Sequence, residues 1–334
     1  MAEEMAEQPA RLRQLIGRFE AVVERVRGVA PVPLNGICMV ARGSSDHAAV
    51  YGRYLLEAAI GKPVSLAAPS LHTLYGVDVD YGGQLVIGVS QSGATPEIVR
   101  TLQALQDAGG RGLAITNDPE SALAVAADEM IELEMGRERA VPATKTVTGE
   151  FTAFAIAACA LGRPPFTPGE LKAVPGWVQE VLDDPGPVAA AAEALLGASE
   201  LIVVARGYLF AAALEAALKI KETCSLVADG YSAADLRHGP IATVTGDFPV
   251  VALCSSGPAL PDVASLVEEL RTRGVKVLVV GSGERVDLSL PAEVPEALTP
   301  IVAVVRAQQL AHALALRLAY DPDSPEGLTK ITRT

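Results

Sequence analysis

The sequence predicts an α/β fold made of two tandem copies of one module, each a parallel sheet flanked by helices. Three observations predict it. Short apolar runs such as Ile37–Ala41, Gln84–Val89 and Gly112–Thr116 alternate with segments of helical periodicity, the pattern of βαβ units. The pattern then starts again, because Leu201-Ile202-Val203-Val204-Ala205-Arg206-Gly207 echoes the first strand and its Ala-Arg-Gly turn. Finally, Pro249–Leu253 with Cys254-Ser255-Ser256-Gly257 echoes the strand and loop that end at Gly93.

Taken in order, an amphipathic segment comes first, with Leu12, Leu15, Ile16, Phe19, Val22, Val23 and Val26 on one stripe. Strand Ile37–Ala41 ends in Arg42-Gly43-Ser44-Ser45-Asp46-His47 and feeds a helix over Ala48–Ile60. A short strand near Val64–Ala67 precedes strand Gln84–Val89, helix Glu97–Ala108, strand Gly112–Thr116, helix Ser121–Ala127 and a strand near Met130–Leu133. Phe151–Leu161 reads as a buried helix, and the proline-rich stretch Gly162–Gly186 reads as a bridge. The expected organisation is an N-terminal helix over 1–34, a first module over 35–162, a linker and helix over 163–198, a second module over 199–320 and a polar tail over 321–334.

A net charge of −13 argues against non-specific nucleic-acid binding, and six Phe with one Trp give no stacking surface for single strands. Half the residues are hydrophobic, yet no apolar run approaches the roughly 20 residues of a membrane span. The first segment lacks the apolar core of a signal peptide. Cys38, Cys159, Cys224 and Cys254 are scattered among apolar neighbours with no metal-ligand spacing, so reduced, buried thiols in a cytoplasmic protein are expected.

The richest stretch is Val89-Ser90-Gln91-Ser92-Gly93-Ala94-Thr95-Pro96-Glu97. Thr95 fits an N-cap and Pro96 the first helical turn, where a missing N–H costs nothing. Hydroxyls and amides gathered where backbone donors and a helix dipole converge make a ready anion site. Taken alone, the loop fits a well-capped turn equally well. Ser44-Ser45 is a second hydroxyl-rich turn, where Asp46 is also a candidate cap. Val141-Pro142-Ala143-Thr144-Lys145-Thr146 is a third. The copy of the Ser90 loop offers Ser255 and Ser256 but no capping threonine, so only the first copy looks built for an anion.

Glu215, Lys219 and Glu222 share one helix face by their spacing. Such a set is either ordinary surface pairing or a carboxylate held in a cleft beside a lysine, suited to moving a carbon-bound proton. His238 lies on a Gly-Pro-terminated loop, where structural and catalytic histidines both occur. Lys330, in the polar tail, reads by itself as solvated.

Together these segments resemble the isomerase half of glucosamine-6-phosphate synthase and its relatives, which are built from two sugar-isomerase (SIS) modules. The likeness runs from Glu7-Gln8-Pro9 to the tail. Ser90-Gln91-Ser92-Gly93-Ala94-Thr95 matches the family's Ser-Gln-Ser-Gly-x-Thr phosphate loop, and Glu215–Glu222 matches its Glu-Gly-Ala-Leu-Lys-Leu-Lys-Glu helix. Leu236-Arg237-His238-Gly239-Pro240 matches Leu-Lys-His-Gly-Pro, and Leu328-Thr329-Lys330 matches Leu-Ala-Lys.

The resemblance implies a flavodoxin-like three-layer sandwich for each module. It implies that Ser45, Ser90, Gln91, Ser92 and Thr95 hold a sugar 6-phosphate, with Gly43, Ser44, Val141 and Thr144 as further substrate contacts. Glu222 would shuttle a proton between C1 and C2 with Lys219 beside it. His238 would open the sugar ring, reaching in from a neighbouring subunit of a homodimer. Lys330 would contact the open-chain carbonyl. No metal or organic cofactor is implied, because the substrate's own carbonyl activates the proton.

Departures from the pattern shape the expected reaction. Ala2 follows Met1 and the first cysteine, Cys38, lies in a predicted strand, so no glutamine-hydrolysing nucleophile is expected. Arg42 stands for the synthase's cysteine, Ala143 for a serine, Asp235 and Arg237 for Glu and Lys, and Glu326 and Gly327 for Arg and Asn. The Arg-Gly-Ser-Ser-Asp-His turn is more similar to stand-alone deaminases of the superfamily. The expected activity is therefore conversion of glucosamine 6-phosphate to fructose 6-phosphate and ammonia. Its rivals are amination of fructose 6-phosphate with ammonia or a separate glutaminase, action on galactosamine or fructosamine 6-phosphate, and non-catalytic sensing of a sugar phosphate.

Overall fold

The computed structural model describes residues 1–246 and 248–330; the last four residues of the expected tail lie outside the described residues. Ten strands form two five-stranded sheets, parallel throughout. The first holds β1 (Gly36–Val40), β2 (Val64–Leu66), β3 (Gln84–Val89), β4 (Arg111–Thr116) and β5 (Glu129–Glu132), in the order β2-β1-β3-β4-β5. The second holds β6 (Glu200–Ala205), β7 (Val227–Ser232), β8 (Val250–Leu253), β9 (Val277–Gly281) and β10 (Leu288–Ser289), in the order β10-β9-β8-β6-β7. Helices flank both, so the three-layer α/β architecture with a repeated module is the one that the apolar runs predict. Strands β1, β8 and β9 are buried along their whole length, as expected of parallel strands covered on both faces.

By compactness the chain divides into two units. The N-terminal unit contains 10–138 and 145–172, together with Thr329 and Lys330; the C-terminal unit contains 1–9, 139–144 and 173–328. In the N-terminal unit, helix Ser44–Ile60 lies against helix Lys145–Leu161, where Tyr51 stacks on Phe151 with ring centroids 4.9 Å apart. The contact is close because residue 52 is glycine; a Cβ there would meet the Phe154 ring at 2.6 Å. In the C-terminal unit, Phe210–Cys224 and Thr299–Arg317 are mostly buried, and Thr223 and Cys224 both reach the carbonyl of Ala311.

Several local readings are corrected. The opening segment forms two helices, Ala2–Gly17 and Phe19–Val29, because the chain tightens at Arg18, whose N–H donates to Leu15 O at 3.1 Å. The proline-rich bridge contains a 16-residue helix, Pro168–Asp183. Pro168 opens it, and Leu171, Val174, Val178 and Val181 bury one face, which outweighs the interior Pro175. The helix after β1 begins at Ser44, so Asp46 stands inside its first turn rather than at the cap. Residues 227–232 form strand β7, where the sequence predicts only the approach to the His238 loop.

Three of the thiols are buried as expected, and Cys159 is only partly so. Burial pushes Cys159, Cys224 and Cys254 up to about 11. Among the described residues no helix is long and apolar enough to cross a membrane.

Two outcomes are expected of these contacts. Gly52→Ala forces an extra carbon into the Phe154 ring and should lower unfolding stability by about 1–3 kcal/mol, read as a reduced urea midpoint. Alkylation of Cys159 at pH 8 should run about a hundred-fold slower than that of an ordinary thiol and quicken with pH, since the thiolate is scarce until pH nears its raised value.

Candidate functional site

In a sheet ordered 2-1-3-4-5 the chain reverses its direction of travel between β1 and β3, and the crevice beyond the strand ends at that point is the usual ligand position. The two turns bordering that crevice are Arg42–Ser45, after β1, and Ser90–Thr95, after β3. They are tied directly, Arg42 Nη2 lying 2.8 Å from Glu97 Oε2 in the first turn of helix Pro96–Asp107.

The Ser90 loop is pinned from below. Ser90 N–H donates to Ile115 O at 3.1 Å, Asn117 N–H to Gln91 O at 3.1 Å and Leu123 N–H to Gly93 O at 3.0 Å. Gly93 is obligatory: its φ is +58°, and a Cβ would lie 2.1 Å from Ser121 Oγ. Ser90 Oγ accepts from Gly93 N–H at 3.2 Å, and Ser92 Oγ accepts from Ala94 N–H at 3.3 Å, which leaves both hydroxyl protons available. Thr95 occupies the N-cap position but makes no side-chain cap bond. Among the described residues the amides of Gln91, Ser92 and Thr95 meet no protein acceptor. The loop is thus an anion cradle by its chemistry, with donors in excess at a helix N-terminus.

Ser45 behaves differently. It is buried, and its hydroxyl donates to Glu150 Oε1 at 2.8 Å. Gly43, with φ +59°, turns the chain into the helix with open space around its α-carbon, and Ser44 follows as the first helical residue. Burial raises the Asp46 carboxyl above its ordinary value.

A groove of about 760 Å³ runs beside the cradle, lined by Gln91, Ser92, Asn117, Glu134, Arg137 and Glu138 among others. Lys330 is not solvated as its tail context suggests; its Nζ lies 3.0 Å from Glu138 Oε2. Glu138 is a residue that the sequence reading missed. It stands in Gly-Arg-Glu-Arg-Ala, which reads as a surface charge run, and its burial depends on contacts 8 and 192 residues away.

In the C-terminal unit, the charged stripe on helix Phe210–Cys224 is no surface pairing. Glu215 and Lys219 are fully buried, with Lys219 Nζ 3.4 Å from Glu215 Oε1 and in direct contact with Glu222, whose side chain is 21% exposed. An ammonium between two carboxylates fixes both, and the outer one alone meets solvent. His238 is exposed at the end of the short helix Ala233–Arg237, with its N–H on Asp235 O, while Arg237 is anchored to Asp262 at 2.7 Å. Val141 N–H donates to Asp323 O at 2.9 Å, and the carbonyl of buried Thr144 accepts from Gln308 Nε2 at 3.1 Å. Ser45, Ser90, Gln91, Ser92, Thr95, Gly43, Ser44 and Lys330 therefore belong to the N-terminal unit. Glu222, Lys219, His238, Val141 and Thr144 belong to the C-terminal one.

The second copy of the loop differs at its glycine. Cys254 N–H donates to Val280 O at 2.8 Å, just as Ser90 N–H pairs with Ile115 O. At the glycine, however, the neighbour is a carboxylate: a Cβ on Gly257 would lie 2.3 Å from Glu296 Oε2, where Gly93 faces the Ser121 hydroxyl. Burial pushes the Glu296 carboxyl up, yet it remains an acceptor in a place where an anion needs donors.

Two parallel sheets and a repeated strand-loop-helix unit define a duplicated α/β protein. The SIS domain model matches residues 35–160 and 194–316, so the chain belongs to the SIS domain family. Among its relatives is glutamine–fructose-6-phosphate aminotransferase (isomerizing) of Methanothermobacter thermautotrophicus, 33% identical over 340 residues covering 99% of this chain and 56% of that protein. A namesake from Thermus thermophilus is 31% identical over 350 residues, with 99% and 58% covered. The chain thus spans little more than half the length of the curated relatives it matches. A structure from Silicibacter pomeroyi DSS-3, provisionally named a phosphosugar isomerase, superposes with a TM-score of 0.85 at 30% identity, covering 97% of this chain and 99% of that one. Glucosamine-6-phosphate deaminase of Thermotoga maritima shares the fold, with a TM-score of 0.82 at 22% identity and 99% of both chains covered.

Replacing Lys219 by Met would leave Glu215 buried without its cation. Lys219→Met should cost about 3–5 kcal/mol in denaturant unfolding, far more than a surface pair.

Proposed function

We propose that this protein is an enzyme acting on sugar phosphates, and specifically an aminosugar-phosphate deaminase/isomerase converting glucosamine 6-phosphate and water to fructose 6-phosphate and ammonia. The observation that carries the reading is the buried Glu215–Lys219–Glu222 set, which leaves one carboxylate, Glu222, partly open and charge-fixed for proton transfer.

The roles follow residue by residue. The donors of the Ser90 loop, with Gln91, Ser92 and Thr95, take the 6-phosphate. His238 assists ring opening, which exposes the C1 aldehyde. Glu222 removes the C2 proton and returns it to C1, while Lys219 holds its charge. The resulting C2 imine takes up water and releases ammonia, leaving the ketose. Gly43, Ser44, Val141 and Thr144 shape the remaining contacts, and Lys330 meets the open-chain carbonyl.

The similarity to aminotransferases over 99% of this chain favours one second reading, the aminating direction from fructose 6-phosphate. Incubating the protein with glucosamine 6-phosphate and following ammonia and fructose 6-phosphate tests the first reading. Sugar binding without either product overturns it, and product formed only from fructose 6-phosphate with an ammonia source establishes the second. Glu222→Gln should lower kcat by about 10²–10⁴-fold with sugar-phosphate binding kept. We also propose a homodimer with a shared site. Mixing Glu222→Gln and His238→Ala chains should then restore part of the activity, and no recovery in mixed dimers would exclude sharing through His238.

A further inference from the structure

The structure assigns to Glu138 the task of fixing the place of the Lys330 amine. The inference deepens the proposed function, since it rests on Lys330 meeting the substrate carbonyl. The geometry within the N-terminal unit is specific. Glu138 is buried, with a side chain entirely covered, and both its oxygens are engaged: Oε1 accepts from Thr146 N–H at 3.2 Å, and Oε2 from Thr146 Oγ1 at 2.6 Å and Lys330 Nζ at 3.0 Å. Thr146 stands in the first turn of helix Lys145–Leu161, so the carboxylate is locked at a helix N-terminus. A carboxylate fixed by two bonds to rigid helix atoms is a precise anchor for a lysine on a flexible stem. Glu138, which holds the amine, lines the same groove as Gln91 and Ser92.

The consequence is chemical. An amine adds to a carbonyl only after losing a proton; the new C–N bond then forms, and the carbonyl oxygen leaves as water. A carboxylate 3.0 Å from Nζ, itself fixed on Thr146, holds the amine in one place from which to meet a substrate carbonyl. Among the described residues, charged groups lining the same groove include Arg11, Asp118, Glu132, Glu134 and Arg137, and Lys145 Nζ donates to Arg137 O at 2.8 Å. Glu138 is thus a positioning residue acting through Lys330.

Two readouts test it. The first needs no turnover. The intact protein is acylated with an amine reagent at one pH, and the rate of modification at Lys330 is compared by peptide mass with that at exposed Lys62. Glu138→Gln should quicken labelling of Lys330 by about ten-fold while Lys62 stays put, because the amine loses its anchor. Glu138→Asp, which keeps the charge and shortens the reach, should quicken it less, and serves if the Gln variant fails to fold. An unchanged Lys330 rate in a folded variant overturns the inference. The second readout uses the proposed reaction. Glu138→Gln should lower kcat by about ten-fold or more with KM nearly unchanged, because the phosphate grip is independent. A loss confined to KM overturns the positioning role. Wild-type protein without turnover would defeat the functional reading alone, because the labelling change stands by itself.

Discussion

The candidate anion loop of this molecule depends on one constraint, the reversal of winding in an open parallel sheet. Five strands in the order β2-β1-β3-β4-β5 cannot be joined without a point where adjacent crossovers leave in opposite directions. The turns after β1 and β3 separate there; the Ser45 hydroxyl is taken by Glu150, while the amides of Gln91, Ser92 and Thr95 meet no protein acceptor among the described residues. The Arg42–Glu97 pair keeps those two turns in register, and the covered strands beneath give them a rigid floor. The side chains refine a site whose position the topology had already fixed.

The second sheet obeys the same constraint. Its order places β6 and β8 at the equivalent reversal, and the amide after β8 keeps the same cross-strand bond. What changes is the neighbour packed over the loop glycine, a hydroxyl at Gly93 and a carboxylate at Gly257. The glycine's own backbone changes too, with φ +58° at Gly93 against +133° at Gly257.

Much of this was legible in the chain. Strands such as Ile37–Ala41 and Gln84–Val89 are continuous apolar runs, and their burial on both faces is why they read so clearly. The Ser90 loop announces itself because Gly93, Thr95 and Pro96 each satisfy a backbone requirement that few residues meet. Strand β7 was not legible, because Val-Ala-Asp-Gly-Tyr-Ser pairs along one edge, and Asp and Gly disfavour strands until tertiary pairing pulls them in. The helix over Pro168–Asp183 was hidden by its prolines, although its apolar spacing was present. Glu138 and Glu150 were illegible for a different reason. A carboxylate reads as solvent-facing unless its partners are known, and those partners, Lys330 and Ser45, lie 192 and 105 residues away.

The partition of the chain between its two compact units carries a consequence for how the molecule is made. The polypeptide passes from one unit to the other after Pro9, Glu138, Thr144, Lys172 and Leu328. Each unit is therefore stitched from pieces synthesised at different times, and Lys330 belongs to the unit whose sheet emerges first. The first sheet can pair early, but the contact between Glu138 and Lys330 waits until the whole second sheet has been made. A nascent chain would thus carry the Ser90 loop long before it carries the amine held by Glu138. The order of synthesis installs that amine after every residue that lines the groove.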